Sequence, residues 1–510
     1  MKNRTNNTLF NNLLIMTRKK LFRTVIEDNF GYKFSYLKLL FYSIIFGDAL
    51  KNTIQKHTKI GILLPNTCFT VCTFYALQYL NKICCMLNYT SGFSNISSCI
   101  NTSEINSIIT SRQFLSKVSL EDEITNLHSK KDIIYLEDIL KDKKIVPSLL
   151  NTLKLFLSLS TPSKLTDSKF NKPAVILYTS GSEGIPKGVK LSHCNFLVNI
   201  SQVSRTLNFQ NSDKIFSCLP FFHSFGLGIG MLLPINIGIR AYIFPSPLKF
   251  KEIPDEIKKS KSTILFSTNT FLKNYERYAQ EIHFQLIRMI IVGAEKLQSS
   301  TYELYKKKYN INILEGYGVT EASPAVSVNT FDYNLKGSVG KLLPDIDYRL
   351  KNNDQYKEGG ELCLKGPNIM LGYENKDDKS LGLNNEWYET GDIVNFKDGY
   401  LHILGRAKRF SKIAGEMVSL SYVESFANDL WTNNINVACS ITDSNKGETI
   451  VIVTDKKDAT LDDLKKYMID NKSGNLCIPK KLIKLEQIPL LGSGKVDYKK
   501  VNENIINSKN

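Results

Sequence analysis

Between residues 59 and 320 the chain changes period again and again. Short apolar runs rich in Ile, Val and Phe alternate with segments whose apolar residues recur every three or four positions. KIGILLP precedes CFTVCTFYALQYL, AVILYTS precedes HCNFLVNISQVSRTL, STILFST precedes FLKNYERYAQ, and RMIIVGA precedes STYELYKKKY. Short β-branched runs favour strands, and a period near 3.6 favours amphipathic helices. Strands that alternate with helices predict parallel or mixed sheets with helices packed on their faces. In such folds chemistry gathers beyond the carboxyl ends of the strands, where strand gives way to loop.

The pattern then shifts twice. From 333 to 404, Gly-bounded short strands such as GELCLKG, YENK and GYLHILG predict a small β-rich subdomain. After GRAKR come a helix (SYVESFANDL), two strands (NVACSIT, TIVIVTD), a helix (LDDLKKYMID) and a short strand (LIKLEQ). The expected fold class is α/β: a large N-terminal domain, 1–404, of two α/β sheet subdomains plus a small β-rich subdomain, then a small α+β C-terminal domain, 405–510. A chain of 510 residues has room for this division. The polar tail VNENIINSKN is expected to fray.

Lys and Arg number 66 against 49 Asp and Glu, a net charge of +17, so acidic partners are attracted to the surface. The lysines are dispersed and no nucleic-acid motif accompanies them, so nucleic acid is not the expected partner. Cysteines in TVCTF, KICCML and VACSI stand among apolar residues with no CxxC pair. That predicts buried reduced thiols, no zinc and a cytosol-like compartment. The first twenty residues carry a short apolar run broken by asparagines, which does not read as a signal peptide. FSYLKLLFYSIIFGDAL and IVPSLLNTLKLFLSLS are interrupted by charge and fall short of the ~18–20 apolar residues of a membrane span. Both read as core-facing helices, with interfacial membrane contact the lesser reading.

YTSGSEGIPKGV, at 178–189, follows the strand-like AVIL. Glycines admit backbone N–H groups to an anion, hydroxyls add donors and Lys187 adds charge, which is the composition of a phosphate loop. A Walker A loop needs GxxxxGK followed by Ser or Thr; Pro186 stands where its second Gly belongs, and Gly188 follows Lys187. The γ-phosphoryl chemistry of such loops therefore has no support here.

With LPFFHSFG (219–226), VGAEKL (292–297), LEGYGVTEASP (314–324), YETGDI (388–393), GRAKRFSKIAGEMVSL (405–420) and PLLGSGKVD (489–497), this loop resembles the ordered motifs of the adenylate-forming superfamily. That superfamily contains acyl-CoA synthetases, luciferases and peptide-synthetase adenylation domains. The spellings SGSEG, HSFG, GAEKL and GRAKRFSKIAGEMVSL, and the run from MLNYTSG to INSIITSRQFL, are most similar to the acyl-[acyl-carrier-protein] synthetase half of the bifunctional 2-acylglycerophosphoethanolamine acyltransferase family. That family also carries a His-x4-Asp acyltransferase pair; no His here has Asp five positions on, so transfer to a lysophospholipid is not expected.

The resemblance implies ATP-dependent activation of a long-chain fatty acid through an acyl-adenylate, then transfer to the pantetheine thiol of acyl carrier protein. CoA as acceptor, and a non-catalytic nucleotide- or lipid-binding relative, are the alternatives. Thr179, Ser180, Gly181, Ser182, Gly184 and Lys187 are expected to hold the β- and γ-phosphates, and Thr320 and Glu321 the α-phosphate and Mg²⁺. Gly293, Ala294, Glu295 and Tyr317 are expected to shape the adenine slot, and Asp392, supported by Arg406, to bind the ribose hydroxyls. Lys495 is the expected catalytic lysine, His223 orients or gates the carboxylate, and Lys408 matches the hinge about which a mobile C-terminal domain rotates. Taken alone, Lys495 would be a solvated turn residue, His223 a structural histidine and Lys408 a surface lysine. The implied location is cytoplasmic, with peripheral contact on the cytoplasmic face of the inner membrane as a further expectation.

Overall fold

The computed structural model describes residues 7–127, 131–141, 150–151, 169–180, 186–351, 359–374, 387–413, 416–432, 434–443, 447–471, 473–490 and 496–507. Four sheets organise them. In the first, Ile313–Gly318, Met289–Val292, Ile264–Ser267, Lys214–Ser217, Arg240–Ile243 and Thr24–Asp28 lie side by side in parallel. Antiparallel strands close both edges: Ala325–Val328 and Lys341–Leu342 on one side, Lys33–Ser35 on the other. KIFS, ILFS and MIIV are buried at every position, as parallel strands covered on both faces must be.

The second sheet runs Gly372–Glu374, Pro186–Ser192, Pro173–Ser180, Ile83–Met86, Lys59–Ile62, Ser107–Thr110 and Asp132–Tyr135. A single apolar core spans both large sheets and the helices Tyr36–Leu50 and Cys68–Tyr79 between them. FSYLKLLFYSIIFGDAL is thus a core helix, as its pattern predicts: Phe46 is fully buried and stacks on Phe69, ring centroids 6.2 Å apart. Most of IVPSLLNTLKLFLSLS lies outside the described residues. Among the described residues no helix is long and apolar enough to cross a membrane.

The expected β-rich subdomain is an antiparallel sheet of Asp347–Lys351, Gly360–Lys365, Tyr388–Lys397 and Tyr400–Arg406. Tyr373 and Glu374, the described residues of YENK, do not belong to it. Gly372–Glu374 instead pairs with Pro186–Ser192, capping the edge of the second sheet, where the Glu374 carboxylate meets the ammonium groups of Lys59 and Lys190. An uncovered edge strand has unpaired N–H and C=O groups, and this segment satisfies them.

The fourth sheet, Glu416–Ser419, Phe410–Ile413, Gly447–Thr454 and Asn436–Asp443 with Lys481–Lys484 beside Gly447–Thr454, forms the small C-terminal domain. The expectation of a frayed tail is corrected: Tyr498–Asn507 is a helix. Val501 and Ile505, four residues apart and so on one face, are buried against Val437, Val451 and Ile488. All ten cysteines are free thiols; eight are buried, and Cys194 and Cys477 are half-buried.

Candidate active site

The stretch YTSGSEGIPKGV is a β-hairpin. Pro173–Ser180 and Pro186–Ser192 run antiparallel with Thr179 opposite Lys187 and Ser180 opposite Pro186. Gly181, Ser182 and Gly184 lie outside the described residues, as does the side chain of Ser180. The loop returns into a strand. A Walker cradle leads into a helix whose N-terminus helps hold the phosphates, so the failed sequence pattern has a structural counterpart.

Lys187, on the return strand, places its Nζ 5.3 Å from the centre of the Tyr373 ring. Tyr373 sits on the neighbouring edge strand opposite Val189, and its hydroxyl donates to Oε1 of Glu321 at 2.8 Å. Glu321 lies in the short turn Thr320–Ala322 beyond the strand Ile313–Gly318, at a carboxyl end where an α/β sheet collects its chemistry. Its side chain is buried, and Ser323 beyond it takes a left-handed backbone, φ 72°. The turn is tied to the segment that leads to Tyr373. Met370 N donates to Glu321 O at 2.8 Å, the Asn368 amide to Ala322 O at 2.8 Å, and Ser323 Oγ to Asn368 O at 2.8 Å. From the other side Asn195, in the capping box that starts the helix His193–Thr206, donates to the carbonyls of Pro367 and Ile369.

Thr320 Oγ1 lies 3.1 Å from Ser224 Oγ, which brings the HSFG block to the same turn. His223 packs edge-on against Phe222 with ring centres 4.7 Å apart. The glycines that follow serve a tight approach: a Cβ on Gly226 would stand 2.1 Å from Pro220 O, and one on Gly230 would stand 2.7 Å from Ser217 Oγ. They let Phe225–Leu232 wind as a π-helix, in which Leu233 N reaches back five residues to Gly228 O.

A second group is built on the antiparallel sheet. Asp392, opposite Arg406 in the ladder, is buried; it accepts Arg406 Nε at 2.9 Å on Oδ1 and the Tyr317 hydroxyl at 2.5 Å on Oδ2. Burial pushes the Tyr317 phenol well up, and the Asp392 charge pushes it further. The carboxylate in turn holds Arg406 above its usual range. Tyr388 stands among Tyr373, Glu321 and Tyr317, and burial followed by those neighbours raises its phenol. Gly293 lies against the Phe225 ring and Gly316 O, each 3.4 Å from where a Cβ would be, and Ala294 has φ 69° and is exposed. The carboxylate of Glu295 accepts Thr270 N at 2.9 Å, at the start of the helix Asn269–Glu276.

Thr320, Glu321, Lys187, Tyr317, Asp392 and Arg406 are thus brought into two adjoining groups. Lys408 has its backbone in the turn Ala407–Arg409, and Lys495 lies outside the described residues. Next to Lys408, Arg409 donates to Glu424 Oε2 and Ala438 O, each at 2.9 Å, and its guanidinium lies 3.9 Å from the Tyr498 ring centre. Tyr373, Tyr388, Ser224 and Arg409 have no place among the residues expected from sequence. Tyr388, Ser224 and Arg409 lie inside YETGDI, LPFFHSFG and GRAKRFSKIAGEMVSL, and that membership is the signal that could have found them, whereas Tyr373 opens YENK, which carried only a strand pattern.

Among the described residues no three His, Cys, Asp or Glu side chains cluster as a metal site. One carboxylate and one hydroxyl, from Glu321 and Thr320, suit a hard cation such as Mg²⁺ that takes its remaining oxygens from phosphates and water.

The AMP-binding enzyme family matches residues 17–374 of the chain. A long-chain-fatty-acid–CoA ligase of Salmonella typhimurium is 30% identical over 342 residues, 63% of this chain and 60% of that one. This chain therefore matches less than two thirds of that relative's length. A ligase of the same name from Bacillus subtilis is 27% identical over 85% of this chain and 84% of its own. Among solved structures, ATP-bound MatB from Rhodopseudomonas palustris superposes with a TM-score of 0.81 at 22% identity, covering 97% of this chain and 98% of that one. That likeness shows the fold.

Proposed function

The chain belongs to the AMP-binding enzyme family, and from that premise we propose that it activates a long-chain fatty acid with ATP and passes the acyl group to the pantetheine thiol of acyl carrier protein. A carboxylate does not react with a thiol because an oxide would have to leave. Attack of the carboxylate oxygen on the α-phosphorus, with the bond to the bridging oxygen of pyrophosphate breaking, gives an acyl-adenylate. The thiol sulfur then attacks the acyl carbon and AMP departs.

The observation that supports this most is the joining of Lys187, Tyr373 and Glu321 on one side and Tyr317, Asp392 and Arg406 on the other, at adjoining strand ends. In this reading Lys187, with Thr179, Ser180, Gly181, Ser182 and Gly184, grips the β- and γ-phosphates that leave. Asp392 offers a buried carboxylate to the ribose hydroxyls, and Gly293, Ala294, Glu295 and Tyr317 bound the adenine. Positive charge and fixed donors are what two mutually repelling anions need to react. Glu321 and Thr320 would hold Mg²⁺, which offsets triphosphate charge when bound. His223 orients the fatty carboxylate, and Lys495 stabilises the charge that moves from carboxylate to α-phosphate. The C-terminal domain, 405–510, turns about Lys408 between the two half-reactions.

Acyl carrier protein is favoured by the HSFG, GAEKL and GRAKR spellings and by the excess of 66 basic over 49 acidic residues, which suits an acidic carrier. CoA is the second reading, favoured by the names of the relatives. We place the activity in the cytoplasm, with peripheral membrane contact. Purified protein given ATP, Mg²⁺ and a C16 acid is expected to release pyrophosphate and load carrier protein; loading of CoA alone refutes the acceptor assignment. Lys495→Ala should abolish adenylate formation and spare ATP binding, and undiminished pyrophosphate release would refute the mechanism.

A further inference from the structure

Tyr373 touches both kinds of group that the triphosphate needs. Its hydroxyl donates to Oε1 of Glu321 at 2.8 Å, and its ring face meets Lys187 Nζ at 5.3 Å. Both contacts come from one half-buried side chain on a three-residue edge strand. That strand is locked to the hairpin by the pairs Gly372–Lys190, Tyr373–Val189 and Glu374–Gly188. The segment before it is locked to the Glu321 turn by Met370 N on Glu321 O and by the two bonds of Asn368. So many backbone ties leave the tyrosine little freedom, and its two partners inherit that restraint.

Glu321 is buried, and a buried carboxylate requires hydrogen-bond donors. The phenol takes one oxygen and fixes the plane of the group, so that the other oxygen keeps a constant direction. The ring, a face of negative potential, draws the ammonium of Lys187 toward the same spot. We propose that Tyr373 is a positioning residue that sets Glu321 for the divalent cation through its hydroxyl and Lys187 for the phosphates through its ring. The proposal rests on the reading of Glu321 and Lys187 given above.

Phenylalanine and leucine separate the two contacts. Tyr373→Phe keeps the ring and loses the donor; Tyr373→Leu loses both. Binding of Mn²⁺ to the protein–ATP complex, read from the loss of the free-ion electron paramagnetic resonance signal, reports the cation without turnover. Binding of ATP in EDTA, followed calorimetrically, reports the phosphate grip alone. Tyr373→Phe is expected to weaken Mn²⁺ retention about tenfold, as loss of a partner behind a metal ligand does, and to leave metal-free ATP affinity within twofold. Tyr373→Leu is expected to weaken Mn²⁺ retention equally and metal-free ATP affinity by about threefold to fivefold, the measure of one exposed cation–π contact.

Mn²⁺ retention unchanged in Tyr373→Phe overturns the proposal. So does equal metal-free ATP affinity in the Phe and Leu variants. Glu321→Gln distinguishes this failure from that of the underlying reading: if it too leaves Mn²⁺ retention intact, Glu321 is not a cation ligand and the earlier assignment falls instead.

Discussion

Replacing Arg409 by alanine removes a bolt between the turn Ala407–Arg409 and the rest of the C-terminal domain. Its guanidinium donates to Glu424 Oε2 and to Ala438 O, each at 2.9 Å, and stacks 3.9 Å from the Tyr498 ring centre. Arg409 and Glu424 side chains are each 16% exposed, so the pair is close to buried. Breaking a fully buried pair costs about 3–5 kcal/mol, because the abandoned charge stays desolvated. Glu424 would keep two donors, Ala438 N at 3.0 Å and the Tyr498 hydroxyl at 3.4 Å, which lowers that figure. The lost contact with the Tyr498 ring adds about 1 kcal/mol, not strictly additively. The expected loss is about 3 kcal/mol from the C-terminal domain. The chain has two tryptophans, and Trp431 is buried in the core of that domain, so a Trp387→Phe background makes fluorescence a local probe. With a urea slope of about 1.5 kcal/mol/M, suited to a small domain, the midpoint should fall by about 2 M. A fall below about 0.5 M would mean that the guanidinium is solvated in the protein and that the turn Ala407–Arg409 is not held there.

Burial pushes the Glu315 carboxyl up from 4.5 to about 7, against the opposing effect of Leu297 N, which it accepts at 2.9 Å. A raised carboxyl keeps its proton longer in the folded state. Stability is therefore lost as pH rises from about 4.5 to about 7, by up to about 3 kcal/mol, and is level above that. In Glu315→Gln this component should vanish from urea unfolding measured across that range; a constant difference from the parent at all pH values would refute the assignment. Gly226→Ala should destabilise by about 3 kcal/mol or more, since its Cβ meets backbone oxygens at 2.1 and 2.5 Å. Gly230→Ala meets only the Ser217 side chain at 2.7 Å and should be milder; equal unfolding midpoints would refute that comparison. Lys408→Pro, which restricts φ at the proposed hinge, should slow thioester formation and spare adenylate formation in a rapid-quench comparison; equal rates would exclude a hinge there.

The local elements were legible because their information is local. AVILYTS, RMIIVGA and SYVESFANDL carry strand or helix periods in adjacent residues, and each forms the expected element. The tail was misread because composition hides position: VNENIINSKN is polar on average, yet Val501 and Ile505 share a face and bury it. YENK was assigned to the wrong sheet because strand propensity says nothing about which edge is open.

From sequence alone come the alternating α/β architecture, the glycines and lysine at 178–189, the acidic residues Glu321 and Asp392, and their order in the chain. Only the tertiary structure brings Tyr373 to Glu321 across 52 residues, Tyr317 to Asp392 across 75 and Arg409 to the ring of Tyr498. Local structure follows from neighbours a few bonds away, whereas these pairings depend on sheet register and on which edge accepts which strand. Such choices are settled by the packing of the whole chain.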